Sequence, residues 1–144
     1  MLKENQVIPY STSDIPKGPY LVFSPHPDDE TLGMGGVIAL AARSGIEVHV
    51  VFVTSGGKGG NVEVRIKESE AASEILGVRK RFYLNLPDRG VFSARLKGEQ
   101  LYEIFKEVSP VTVFLPSFQE FHPDHRAVTF KLLQFLNNSS EVSS

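Results

Sequence analysis

The chain has 144 residues and no cysteine. Disulfide bonds and thiolate metal ligands are therefore excluded, and any bound metal must rest on imidazole and carboxylate. Long apolar runs are missing too. None approaches the roughly 20 residues that a membrane-spanning helix needs. The opening residues, Met1-Leu-Lys-Glu-Asn-Gln6, lack an apolar signal core, so a cytoplasmic protein is expected. No charge of either sign dominates: the net charge is −2 at pH 7. A general attraction to nucleic acid or to an anionic membrane is thus not expected. Histidine is scarce, with four in the chain. What is present is ordinary for a globular protein, 41% hydrophobic and 22% charged. The length suits one domain with a real core.

Three of the four histidines fall in two short motifs. The first is Ser24-Pro-His-Pro-Asp-Asp-Glu-Thr-Leu-Gly-Met-Gly-Gly36. It follows an apolar β-rich run, Tyr20-Leu-Val-Phe23, and precedes a small-residue helical pattern, Val37-Ile-Ala-Leu-Ala-Ala42. It reads as a strand-to-helix turn at the carboxyl end of a strand, the edge where open α/β sheets bind ligands. Pro25 and Pro27 hold His26 in a stiff, extended presentation. Helix capping explains the acidic residues that follow. It does not explain a histidine held between prolines, nor the second motif, Phe121-His-Pro-Asp-His-Arg126. Alone, that second motif is a helix start with proline in the first turn. Beside the first, it supplies further ligands. His26, Asp29 and one of His122 or His125 make two imidazoles and a carboxylate with an open fourth position, a catalytic zinc arrangement. Asp28 is left over as a general base. Spacing alone does not separate His122 from His125.

Taken in order, residues 1–19 read as an extended lead-in with a short edge strand around Gln6–Ile8. Strands are expected at Tyr20–Phe23, Glu47–Val53, Arg81–Leu84 and Val111–Leu115. Helices are expected at Thr31–Ser44, from Asn61 or Val62 to Leu76, at Gly98–Val108 and at about His125–Asn137, with a polar tail over 138–144. The second strand's near-continuous β-branched run suits a buried parallel strand, and His49 inside it reads as structural. The glycine-rich Thr54-Ser-Gly-Gly-Lys-Gly-Gly60 fails the phosphate-loop test, because no Gly-Lys-Ser/Thr closes it ahead of a helix. Strands alternating with helices predict an α/β fold: a Rossmann-like, doubly wound, mainly parallel sheet with helices on both faces, in a single domain over 20–137. Right-handed crossovers gather the loops after the strands on one edge, so residues 26 and 125 can meet.

Pro25-His-Pro-Asp-Asp-Glu30 together with His122-Pro-Asp-His125 resembles the PIG-L/LmbE-like family of zinc-dependent deacetylases, which act on N-acetylglucosamine-type substrates. The resemblance runs from Tyr20 to about Leu133. It implies zinc on His26, Asp29 and His125, although Fe²⁺ also accepts such ligands. It implies Asp28 as general base, His122 as the oxyanion donor and Asp124 as the residue that orients His122. It also implies Arg65 and Asp88 on the substrate side, with the Thr54–Gly60 loop as a pocket rim. On the residues alone, Arg65 and Glu68 are a solvated intrahelical pair and Asp88 is a turn aspartate. A homo-oligomer acting on a small N-acetyl sugar or amide is expected. Family members continue past the second motif, so a shortened, weakly active or inactive metal-binding domain is an alternative reading. A nucleotide-binding α/β module using the glycine loops is a further one.

Overall fold

The structure, a computed structural model, describes residues 14–142. The strand expected around Gln6–Ile8 lies outside the described residues. Four strands alternate with four helices: β1 Tyr20–Ser24, α1 Asp29–Arg43, β2 Val48–Thr54, α2 Val62–Leu76, β3 Lys80–Leu86, α3 Gly98–Val108, β4 Thr112–Phe114 and α4 Pro123–Val142. All pairings are parallel, in the order β3-β2-β1-β4. The chain winds outward from β1 to β3 and then returns to β1's other side. The order therefore reverses between β1 and β4, and the crevice beyond that reversal is the ligand site of such sheets.

Period-two alternation divides the core. Leu21, Phe23, Val51 and Val53 face α3 and α4, meeting Leu101, Ile104, Val108, Val128 and Leu132. Tyr20, Val22, Val48, Val50 and Phe52 face the other way, against Ile38 and Ala41 of α1, with Leu76 of α2 beside them. Every residue of β1 and β2 is buried, which explains why both read as apolar with little polar alternation. The expected doubly wound sheet with helices on both faces is the observed one.

Element ends follow local chemistry. Asn61 caps α2 by accepting hydrogen bonds from the N–H groups of Glu63 and Val64 at 2.9 and 3.2 Å. Gly77 ends α2 with φ of 80°, and a Cβ there would lie 2.8 Å from Ala42 Cβ. Strand ends move by a residue elsewhere, β4 shortening to Thr112–Phe114, and three elements differ more. Helix α1 begins at Asp29, so this carboxylate belongs to the first helical turn. Strand β3 runs from Lys80 to Leu86, because its pairing with β2 continues through a local irregularity between Phe52 and Thr54. Helix α4 starts at Pro123 and continues past Asn137 to Val142, since no glycine or proline interrupts it. Among the described residues, no helix is long and apolar enough to cross a membrane.

Candidate metal centre

The turn after β1 is built around a buried acid. The Ser24 hydroxyl donates to Glu30 Oε2 at 2.9 Å, and the Asp28 N–H donates to the same oxygen at 3.1 Å. The turn is also tied to β2, because Pro25 O accepts from the N–H and hydroxyl of Thr54 at 3.0 and 2.9 Å. Between these ties Asp28 is forced to φ of 138°, a region that side-chain-bearing residues rarely adopt. Such strain persists only where the surroundings over-determine it, and it concentrates at functional sites.

His26 projects from this turn into a ring of carboxylates. Its Nδ1 lies 3.2 Å from Asp29 Oδ2, which also accepts the His26 backbone N–H at 2.9 Å. Its Nε2 lies 3.2 Å from Asp124 Oδ2 and 3.3 Å from Asp88 Oδ1. Asp29 Oδ2 is in turn 3.1 Å from His125 Nε2. The rings of His26, His122 and His125 cluster with centroids 4.7–5.4 Å apart. Each can place one nitrogen within 4.8 Å of the others. Residues after β1, β3 and β4 are thus drawn to one point at the sheet's carboxyl edge.

The charges at this point are unbalanced. Burial pushes the His26 pKa down, but Asp29, Asp124 and Asp88 outweigh it and leave it raised. Burial opposes ionisation of Asp29, yet the hydrogen bonds from His26 and the nearby His125 hold its pKa low. A neutral imidazole carries one N–H and cannot satisfy carboxylates at both nitrogens. The same carboxylates that favour the imidazolium also favour a divalent cation in place of its proton, and the nitrogen and oxygen donors suit zinc or ferrous iron.

His122 and His125 differ in a way that spacing does not show. The Asp124 N–H donates to His122 Nδ1 at 3.2 Å. That bond needs the Nδ1 lone pair and leaves the proton on Nε2, so His122 is disposed to donate. His125 Nε2 faces Asp29 instead. The expected orientation of His122 by the Asp124 carboxylate is not the geometry found. That carboxylate, almost fully buried, points at His26 and accepts from the N–H groups of Arg89 and Val91 at 2.6 and 3.2 Å. The first turn of α4 aims it at the loop after β3, away from the His122 ring.

Arg65 and Asp88 lie in the same place. The Arg65 guanidinium donates to Pro27 O at 2.8 Å, Asp28 Oδ2 at 3.0 Å and Gly56 O at 3.4 Å. Burial raises the Asp28 pKa and Arg65 opposes the shift. Asp88 accepts the Lys58 backbone N–H at 2.8 Å, fastening the glycine-rich loop to the site. An open cavity of about 370 Å³ is lined by the three imidazoles, Asp28, Asp29 and Asp88, together with Lys58, Arg65 and Arg89. Glu30, Lys58 and Arg89 were not singled out from the sequence. Glu30 carried a signal, as the last residue of the first motif, whereas Lys58 and Arg89 become visible only when their loops are placed.

The chain is 33% identical, over an alignment of 143 residues, to diacetylchitobiose deacetylase of Thermococcus kodakarensis, covering 85% of this chain and 54% of that protein. The structure of N,N′-diacetylchitobiose deacetylase from Pyrococcus horikoshii is similar with a TM-score of 0.75 and 33% identity, over 82% of this chain and 49% of that one. A 4-carboxy-2-hydroxymuconate hydratase from Pseudomonas putida KT2440 is similar with a TM-score of 0.70 and 26% identity, over 81% of this chain and 54% of that one. The chain spans about half the length of the curated relatives it matches. Residues 21–136, which carry both motifs and the whole cluster, match the family described as GlcNAc-PI de-N-acetylase, and the chain belongs to that PIG-L family.

Proposed function

We propose that the protein is a metal-dependent N-deacetylase that releases acetate from an N-acetylglucosamine-type sugar or a related amide. The observation that carries this reading is the position of Asp29 Oδ2, within 3.2 Å of His26 and 3.1 Å of His125, beside an unligated Asp28. His26, Asp29 and His125 would hold zinc, or ferrous iron. When bound, the metal supplies Lewis acidity that polarises the acetamide carbonyl and eases deprotonation of water.

The chain's own groups carry the protons. Asp28 accepts one from the attacking water as general base. His122, with its proton on Nε2, donates to the oxygen on which negative charge develops. Asp28 then returns its proton to the amine nitrogen as the C–N bond breaks. One amide and one water become one amine and one acetate. Asp124 keeps His26 oriented, as a carboxylate behind a ligating imidazole does.

The test is acetate release from N-acetylglucosamine and diacetylchitobiose by zinc- or iron-loaded protein, against the same protein after chelation. Acetate formed only with metal is the expected result. A protein that holds about one metal per chain and releases none across a panel of N-acetyl sugars would be a metal-binding domain without turnover. Acetate is the necessary readout, because a hydratase shares this fold and substrate loss alone would not tell the two chemistries apart.

A further inference from the structure

A second cavity, of about 250 Å³, also reaches the metal cluster. Asp29 and His125 line both this cavity and the one lined by Arg65. The two differ in chemistry. Charged side chains from α2 and from the loops after β2 and β3 wall the first, which suits the hydroxyls of a sugar. The second is walled by Pro25 after β1, Met34 of α1, and Phe114, Leu115 and Pro116 at the end of β4. Pro25 is buried and the other four are half-buried, with Met34 and Phe114 packed on the core. Its two further acids leave this apolar wall intact. Glu30 accepts from Ser24, Thr31 and the Asp28 N–H, and Glu120 is exposed. Gly33 completes the wall. It lies inside α1, where a side chain would strengthen the helix, and a Cβ there would meet nothing within 4 Å. Glycine at this position leaves the space open.

We propose that this second cavity receives the acyl chain of the amide, and that the chains it fits are neutral alkyl groups longer than acetyl. The proposal rests on the deacetylase reading and widens its substrate class on the acyl side. One methyl group, similar in size to a water of roughly 30 Å³, would leave most of the cavity unfilled. An amide carbonyl beside Asp29 and His125 has polar room for its sugar in one cavity and apolar room for its chain in the other. Each methylene placed there leaves water. Met34, unbranched and soft, adapts its shape to chains of different length. The Glu120 carboxylate disfavours a chain that itself ends in a carboxylate. The bond chemistry is that of acetate release. The oxygen of water joins the acyl carbon and the C–N bond breaks. One proton of the water passes to the amine, and the other leaves the carboxylic acid.

The experiment uses the full chain loaded with zinc and reads free glucosamine, the product common to every substrate. N-acetyl-, N-butanoyl-, N-hexanoyl- and N-succinylglucosamine are compared by kcat/KM. The value should rise about tenfold from acetyl to hexanoyl, the lower end of what added methylenes are worth in an apolar pocket. The succinyl sugar should be a poorer substrate than the butanoyl sugar, which has the same number of carbons. Calorimetry on zinc-loaded Asp28→Asn reads binding without turnover. Affinity should rise with chain length, with an increasingly negative heat-capacity change. Gly33→Leu, which fills the cavity, should reduce the hexanoyl-to-acetyl ratio severalfold. Gly36→Leu lies one turn further along α1, outside the cavity wall, where a Cβ also meets nothing within 4 Å. It should leave the ratio unchanged. Glucosamine from the acetyl sugar, with rates that fall as the chain lengthens, overturns the proposal and leaves the deacetylase reading intact. A hexanoyl preference that Gly33→Leu does not alter, or a succinyl sugar cleaved as fast as the butanoyl one, overturns it too. No glucosamine from any of these sugars overturns both.

Discussion

Asp124 Oδ2 lies 3.2 Å from His26 Nε2, although 98 positions separate the two residues. The contact joins the first turn of α4 to the turn after β1, with the backbone of the β3–α3 loop bonded to the same carboxylate. A buried carboxylate behind a ligating imidazole fixes its ring and raises its basicity. Asp124→Asn should therefore weaken metal binding about 10- to 100-fold. Competition against a chelator of known affinity measures this. An unchanged affinity would show that His26 needs no such support.

Asp28 has two separable properties, its carboxylate and its strained backbone. Asp28→Asn should lower turnover about 10²- to 10⁴-fold with metal content unchanged. Asp28→Gly should lose turnover equally but raise Tm by several degrees, because glycine adopts φ of 138° without strain. The lost pair with Arg65 offsets little of this, since the Asp28 side chain is about half exposed. Turnover that persists in the asparagine variant would remove Asp28 from the mechanism.

Arg65 lies flush against the glycine loop. A Cβ on Gly59 would sit 2.0 Å from Arg65 Nη1. Gly59→Ala should displace the guanidinium from Gly56 O and Asp28, and slow acetate release severalfold without changing metal stoichiometry. Wild-type kinetics in this variant would mean that the guanidinium's place is immaterial.

His49 predicts a pH dependence of stability. Burial lowers its pKa below 6.5, outweighing the pull of Glu47 and Glu107, while Arg79 adds to the lowering. Its Nδ1 is buried without a partner. The unfolded chain therefore takes up this proton first. Stability is full above about pH 6.5 and falls as pH drops through that value towards the folded pKa. His26 has the opposite sign: its pKa is raised, so its contribution is present at low pH and fades as pH rises. The comparison must thus be made by difference. The Tm of His49→Val minus that of the wild type should increase between pH 7.5 and pH 5.5. A constant difference would place His49 outside the acid response.

The fold was readable because its cues are local. The β-branched run of β2, the stop at Gly77 and the alternation of strand and helix each act over a few residues. Gathering His26, Asp29 and His125 at one edge also needed only the parallel topology. The direction of the Asp124 carboxylate was not readable. Its partners are His26 and the N–H groups of Arg89 and Val91, all more than 30 positions away, and its choice between two histidines depends on where α4 begins. The φ of Asp28 was hidden too, because the turn that holds it is tied both to Glu30 and, through Pro25 O, to Thr54 of β2. The resemblance places Arg65 on the substrate side, and the bonds of its guanidinium to Gly56 O and Asp28 could not be read from the sequence.

His26 and His125 stand 99 positions apart in a sequence that has no cysteine. An ion gripping both would act as the cross-link this protein otherwise lacks. For a covalent tie closing about 100 residues, the entropy withdrawn from the unfolded chain is equivalent to about 4.7 kcal/mol. The loaded protein would carry residues 26–125 as a closed loop. Pulled from points outside that loop, it would hold between residues 26 and 125 until the ion left.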